Sequence, residues 1–302
     1  LRPASLMSTL TAGPSTWIQA ARPKTLGAAV APVVVGTAMA MEAGGLHPMS
    51  AVLALLSAIL IQVGVNYHND YNDFLKGTDT DDRVGPQRVT QAGLVEPETM
   101  RAATIAVFAG AVLAGGYLIW RGRWPILAIG IASLVSAIWY TGGRYSLAYM
   151  GMADVFVFLF FGPVAVGGTY YVQTLTISHD VILAGAGPGL LAVAILLVNN
   201  IRDVEGDRSA RKRTLVVRLG RSAGVAFYAV CLTTAAVVPV ILYLLNGSHP
   251  WAMMTLLILA PGLGPIRTLR STTQPEALNP LLGATGRLLV LWAILFSVGW
   301  NV

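Results

Sequence analysis

The sequence predicts an all-α, multi-pass membrane protein of nine spanning helices, and three observations carry that prediction. Of 302 residues, 55% are apolar and only 11% are Asp, Glu, Lys or Arg, whereas an ordinary soluble domain carries roughly 25% charged residues. The few charges are separated by long uncharged runs, 43–69, 102–120, 155–179, 181–201 and 222–266 among them, and a helix crossing the hydrocarbon core needs about 20 apolar residues. The basic residues also fall almost wholly on one side of the spans that these runs define. The apolar excess excludes a disordered chain. A single cysteine, Cys231, excludes a disulfide framework or a cysteine-based zinc site.

Taken in order, Leu1 to Ser15 is polar and small. It is read as a flexible segment without the pattern of a cleavable leader, ahead of a single domain over 16–302. The first span, 24–42, is entered through Arg22-Pro23-Lys24-Thr25, with the proline where the first turn of a helix accepts one. Spans at 50–71, 98–119, 124–141, 153–173 and 181–201 follow the uncharged runs directly. The run 222–266 is too long for one crossing, and the turn cluster Asn246-Gly247-Ser248-His249-Pro250 divides it into 222–245 and 251–267. The last span, 283–301, takes in Arg287, whose side chain can snorkel to the interface.

With nine spans, 18 of the 20 Lys and Arg lie on the side of the N-terminus, and only Arg121 and Arg123 lie on the other. The positive-inside rule then puts the N-terminus in the cytoplasm. The net charge of +6 reports that topology, and no basic stripe outside the membrane-flanking loops suggests a nucleic-acid partner.

Twelve of the 14 acidic residues share the same side, which topology does not require. Ionisable groups at the ends of apolar helices are costly and point to a site. One group, within 66–88, runs Asn69-Asp70-Tyr71-Asn72-Asp73 into Lys76-Gly77-Thr78-Asp79; the other, within 199–220, runs Asn199-Asn200-Ile201-Arg202-Asp203-Val204-Glu205-Gly206-Asp207. Asn69 and Asp73 are four apart, as are Asn199, Asp203 and Asp207 in succession, so each set shares a helix face. Oxygen donors without matching His or Cys suit a hard cation such as Mg²⁺, which completes its shell with water and phosphate oxygens. Two such clusters facing each other would hold metal bridging a diphosphate. The plainer reading is solvated loop carboxylates balancing neighbouring Lys and Arg. The two Asn are 130 positions apart, which suggests pseudo-repeated halves. Among nearby cations, Lys76, Arg88, Lys212 and Arg213 are the candidates for diphosphate oxygens, since arginine binds them in pairs and lysine acts as a point charge.

Further stretches complete a pattern: Ala21-Arg22-Pro23, Gly85-Pro86-Gln87-Arg88, Tyr140-Thr141-Gly142-Gly143, Phe160-Phe161-Gly162-Pro163 and Lys212-Arg213-Thr214-Leu215. With the two Asp motifs, they resemble the UbiA superfamily of intramembrane aromatic prenyltransferases from about Trp17 to the last helix. Within it the likeness is greatest to the branch acting on 1,4-dihydroxy-2-naphthoate. That branch has glycine at the place of Gly77 and aspartate at that of Asp79, where many members carry a third aspartate four residues after Asp73. This chain departs from the pattern at Arg144-Tyr145-Ser146-Leu147, which lacks a proline often found there.

The resemblance implies nine transmembrane helices around a central cavity with a cytoplasmic cap, in a bacterial inner or plasma membrane. It implies transfer of a polyprenyl group from polyprenyl diphosphate to 1,4-dihydroxy-2-naphthoate, with loss of diphosphate and CO₂, giving a demethylmenaquinol. Mg²⁺, or Mn²⁺ in its place, would be held by Asn69, Asp73, Asn199, Asp203 and Asp207, with Asp70 and Asp79 as further ligands or orienting groups. Asp73, Asp203, Asp207, Lys76 and Arg88 would carry catalysis, and Lys76, Arg88, Lys212 and Arg213 the diphosphate. Arg22, Tyr67, Tyr140 and Asp154 would face the acceptor, although each tyrosine also suits an interfacial belt and Asp154 also suits a helix N-cap. His68, a lone imidazole among oxygen ligands, reads as a packed or hydrogen-bonding residue rather than a base or metal ligand, and Cys231 reads as packing only. Two alternatives stay open: another aromatic acceptor of the 4-hydroxybenzoate or homogentisate type, and a cation-coupled transporter. Carboxylates at helix ends on one side argue against the transporter, whose sites lie near the midplane.

Overall fold

The structure, a computed structural model, describes residues 12–77, 85, 88–141, 147–210 and 212–302. Its elements are helical. α1 (Pro14–Ala21) leads into α2 (Pro23–Glu42), α3 (Pro48–Lys76) and the long α4 (Pro97–Thr141). The short α5 (Leu147–Met150) precedes α6 (Ala153–Phe161), α7 (Pro163–Thr174), α8 (His179–Ala184) and α9 (Ala186–Arg202). α10 (Val204–Ser209) and α11 (Leu215–Leu219) form a connection to α12 (Arg221–Asn246). A 3-10 stretch, Pro250–Ile258, runs into α13 (Leu259–Ser271), and α14 (Asn279–Asn301) closes the chain. Prolines sit at the first turn of α1, α2, α3 and α7, where their missing N–H costs nothing.

Among the described residues, eight helical segments are long and apolar enough to cross a membrane. The expected count of nine is recovered because one of them, α4, is two helices. Arg123 leaves the helical region (φ 58°, ψ −149°) beside Pro125, so 97–122 and 124–141 are separate crossings joined by a break. The expected 153–173 and 181–201 spans are also jointed. Between α6 and α7 a Cβ on Gly162 would come within 2.6 Å of the Phe158 carbonyl and 2.9 Å of the Gly189 backbone, so only glycine permits this approach.

The buried centre is built on α14, α9 and α12: Trp292, Phe296, Tyr228, Leu191, Leu197 and Leu232 are fully buried. Trp292 and Phe296 stack 5.1 Å apart, and the Trp292 indole N–H donates to the Ala235 carbonyl at 2.8 Å. Large apolar side chains on the outside, Leu113, Trp124 and Leu244 among them, have no aqueous rationale and suit contact with lipid.

Two cross-links fix the end of the bundle where the site lies. The Asn66 amide donates to the Ala21 carbonyl at 2.8 Å, pinning the α1–α2 joint to α3. Tyr67 packs against Trp17 of α1 with ring centroids 5.5 Å apart, and its hydroxyl donates to the Trp17 carbonyl. The two halves of the 66–88 and 199–220 pattern differ locally. α3 continues through Asp73 to Lys76 and stops at Gly77 (φ +62°), whereas α9 stops at Arg202 and a new helix starts after Asp203. Asn199, Asp203 and Asp207 therefore do not lie on one unbroken helix as expected. Their four-residue relation survives because the Asp203 and Asp207 N–H groups still donate to the Asn199 and Asp203 carbonyls.

Candidate functional site

The last turns of α3 and α9 end on the same side of the bundle, and each delivers a carboxylate that is matched to a cation. Asp73 meets Arg88 at 2.6 Å; the arginine side chain is 8% exposed and the aspartate 19%. Arg202, 2% exposed, grips both oxygens of Asp203 through Nε (2.7 Å) and Nη2 (2.6 Å). Its Nη1 donates to the Asn279 side chain at 3.0 Å. Lys212 meets Asp207 at 3.0 Å. Burial pushes the Asp207 carboxyl up, against the charge and hydrogen bond of Lys212. Burial also works against the Lys212 ammonium, but Asp207, with smaller contributions from Asp73 and Tyr149, outweighs it and holds Lys212 above its ordinary value.

Asp70 has a different environment from its neighbours. It is buried, and its two oxygens accept the Val89 and Thr90 N–H groups at 3.2 and 3.1 Å. It therefore ties the loop carrying Arg88 onto α3, and Arg88 reaches Asp73 from that anchored segment. The sequence expectation for Asp70 was a metal ligand or orienting group; the contacts it makes here are to the backbone of the loop that carries Arg88. His68, as expected, is a hydrogen-bonding residue, with Nε2 3.1 Å from the Ile138 carbonyl and 2.8 Å from the Asn72 amide.

The two half-sites come together around α5. The Lys76 ammonium lies 5.2 Å from the Tyr149 ring centroid, and the Lys212 ammonium lies 6.0 Å from the same centroid. Gly151 follows at φ +76°, and a Cβ there would overlap the Arg213 carbonyl, so this segment is held directly against the 212–214 loop. Lys212 faces Asp207, while Arg213 is exposed; of the two, the structure brings Lys212 to the carboxylates. Tyr140 lies within electrostatic reach of Asp154, Asp207, Asp73 and Arg22. Asp154 is buried in the first turn of α6, and its Oδ1 has no hydrogen-bond partner among the described residues. The N-cap of α6 is Met152, not Asp154. Tyr67, by contrast, is engaged with α1. Asp79 lies outside the described residues.

Arg202, Asn279 and Tyr149 were missed by sequence reasoning. Arg202 adjoins Asp203 in the sequence and could have been found as its partner. Asn279 and Tyr149 carry no local signal, since their contacts are made across the fold.

The candidate donors expected from the sequence, Asn69, Asp73, Asn199, Asp203 and Asp207, offer oxygen only. That chemistry fits a hard divalent cation. No group of three His, Cys, Asp or Glu among the described residues is gathered closely enough to hold a metal by itself, which agrees with each carboxylate being turned to its own cation.

A family model described as the UbiA prenyltransferase family matches residues 29–298. The chain belongs to that family. It is 37% identical over 292 residues to a 1,4-dihydroxy-2-naphthoate octaprenyltransferase of Haemophilus influenzae, covering 94% of each chain. It is 36% identical over 290 residues to the Escherichia coli protein of the same name, again covering 94% of both. Among solved structures, the fold is shared with a UbiA homologue from Archaeoglobus fulgidus bound to GPP and Mg²⁺, at a TM-score of 0.64 and 15% identity, covering 93% of this chain and 99% of that one. The all-helical membrane architecture is thus the family's own.

Proposed function

We propose that this chain transfers a polyprenyl group from polyprenyl diphosphate to 1,4-dihydroxy-2-naphthoate, releasing diphosphate and CO₂ and forming a demethylmenaquinol. One observation supports this reading most directly: carboxylates from two separate helix ends are gathered with Lys76, Arg88 and Lys212 on one side of a membrane bundle. Such a site suits a substrate with an anionic head and an apolar tail. The relatives named for dihydroxynaphthoate octaprenyl transfer align over 94% of the chain, which supports the acceptor.

Asn69, Asp73, Asn199, Asp203 and Asp207 would hold Mg²⁺, for which Mn²⁺ could substitute. Bound there, the metal would neutralise the diphosphate as a leaving group. Lys76, Arg88 and Lys212 bind diphosphate oxygens, with Arg213 at the exposed rim, and their charge counts for most where water is excluded. Arg88 and Lys212 are positioned by the carboxylates they pair with. The allylic C–O bond breaks, and the diphosphate leaves with its electrons. The acceptor ring then attacks through the carbon bearing its carboxylate, and loss of CO₂ restores aromaticity. Arg22, Tyr140 and Asp154 face the acceptor; Asp154 Oδ1, which has no partner among the described residues, is suited to accept a hydrogen bond from an acceptor hydroxyl. Tyr67 is left to packing.

The site opens to the cytoplasm of a bacterial inner membrane, on the side where the basic residues collect. The test is incubation of the purified protein with Mg²⁺, a polyprenyl diphosphate and dihydroxynaphthoate in competition with 4-hydroxybenzoate and homogentisate. The expected product is the prenylated naphthoquinol; prenylation of either competitor in preference would overturn the acceptor assignment.

A further inference from the structure

We propose that Tyr149 is a positioning residue that holds the Lys76 and Lys212 ammoniums as a pair for the diphosphate, joining the two half-sites through one aromatic ring. The inference rests on the diphosphate site proposed above and names a residue that site needs.

Lys76 ends α3 and Lys212 precedes α11, so the two are supplied by separate parts of the chain. Each nevertheless lies over the same ring, at 5.2 and 6.0 Å from its centroid. Both distances are within cation–π reach of about 6 Å. Two ammoniums brought toward one ligand repel each other, and each lysine lies in the field of the other. Side-chain entropy also works against holding two flexible lysines in one arrangement. The negative face of a ring offsets both costs without neutralising either charge, as a carboxylate would.

Lys212 already shares its charge with Asp207 at 3.0 Å. Lys76 is the exposed member, in the field of Asp73 as well as of Lys212, and the ring is the contact it shares with Lys212. Tyr149 is itself fixed: α5 is a single turn, and Gly151 brings the following backbone against Arg213. The ring is therefore a common contact for the two cations, and a diphosphate entering there would meet both in place.

The experiment measures Mg²⁺-dependent binding of inorganic diphosphate by calorimetry, and separate KM values for donor and acceptor, for Tyr149→Phe and Tyr149→Leu. The ring is retained in Phe, so diphosphate affinity is expected within about twofold of the wild type. Leu removes both ring contacts and should weaken diphosphate binding and raise donor KM by roughly tenfold, with acceptor KM unchanged. Thermal melting in detergent checks folding, and Tyr149→Trp supplies a second ring-bearing variant if Leu does not fold; it too should retain diphosphate affinity. Equal affinity of Leu and wild type would overturn the proposal, as would Phe or Trp losing as much as a ring-less variant. Tighter binding in Leu would also overturn it, since the ring would then be competing for the lysines. Binding of diphosphate by the wild type without prenylation of dihydroxynaphthoate would sink the proposed acceptor and leave the role of Tyr149 standing.

Discussion

Asp73 and Arg88 meet at 2.6 Å, although one lies in the last turn of a transmembrane helix and the other on the loop that returns from it. The pair couples a carboxylate of the proposed metal set to a cation of the proposed diphosphate set. Its position is secured three residues earlier, where Asp70 holds the N–H groups of Val89 and Thr90. The arrangement separates two jobs within one motif: Asp70 fixes the loop, and Asp73 pairs with Arg88 at the proposed site.

Arg88→Ala is expected to raise donor KM by roughly tenfold or more, the scale of a lost charge-assisted pair, and to leave acceptor KM within twofold. Steady-state kinetics with each substrate varied in turn decides this. Equal effects on both substrates would place Arg88 outside the diphosphate site.

Asp203→Ala removes a proposed metal ligand and leaves Arg202 held by Asn279. Turnover should fall by about a thousandfold or more, as several kcal/mol of metal-assisted stabilisation are lost; the variant should also melt lower, because the buried Arg202 loses both hydrogen bonds to Asp203, so turnover is compared below that melting temperature. EDTA should abolish wild-type turnover in the same way and excess Mg²⁺ restore it. Near-normal turnover in the variant would remove Asp203 from the metal set.

Asp70 predicts an effect on stability. Asp70→Ala strands two buried N–H donors and should cost about 2–4 kcal/mol, read as a lower melting temperature. Asp70→Asn keeps one acceptor oxygen and should fall between Ala and wild type. If Ala melted like the wild type but lost Mg²⁺ dependence, the tether reading would give way to ligation.

Far from the site, Gly187→Ala tests the core. A Cβ at Gly187 would overlap the ring of Trp292, which is fully buried. Overpacking of this kind costs about 1–3 kcal/mol. A lower melting temperature is expected, with diphosphate affinity of the folded protein unchanged. Wild-type stability would mean that the ring can move, contrary to its stacking on Phe296.

By itself the sequence determined the membrane-spanning helices and the side on which the chemistry lies. Long uncharged runs leave no alternative to spanning helices, and 30 of the 34 charged residues fall on one side of them. It also determined which residue types carry the proposed chemistry, because Asn69 and Asp73, or Asn199 and Asp203, are one helical turn apart wherever the helix lies. Tertiary structure decided which partner each group takes. Asp70 and Asp73 look equivalent in sequence, and only the path of 88–90 makes one a tether and the other a partner of Arg88. Lys212 and Arg213 are adjacent, and only the fold turns Lys212 to Asp207. Asn279 reaches Arg202 from 77 residues away, and the Tyr149 ring meets one lysine from the end of α3 and another from the loop before α11. Period and composition encode which face of a helix a residue occupies; they do not encode which other element that face will meet.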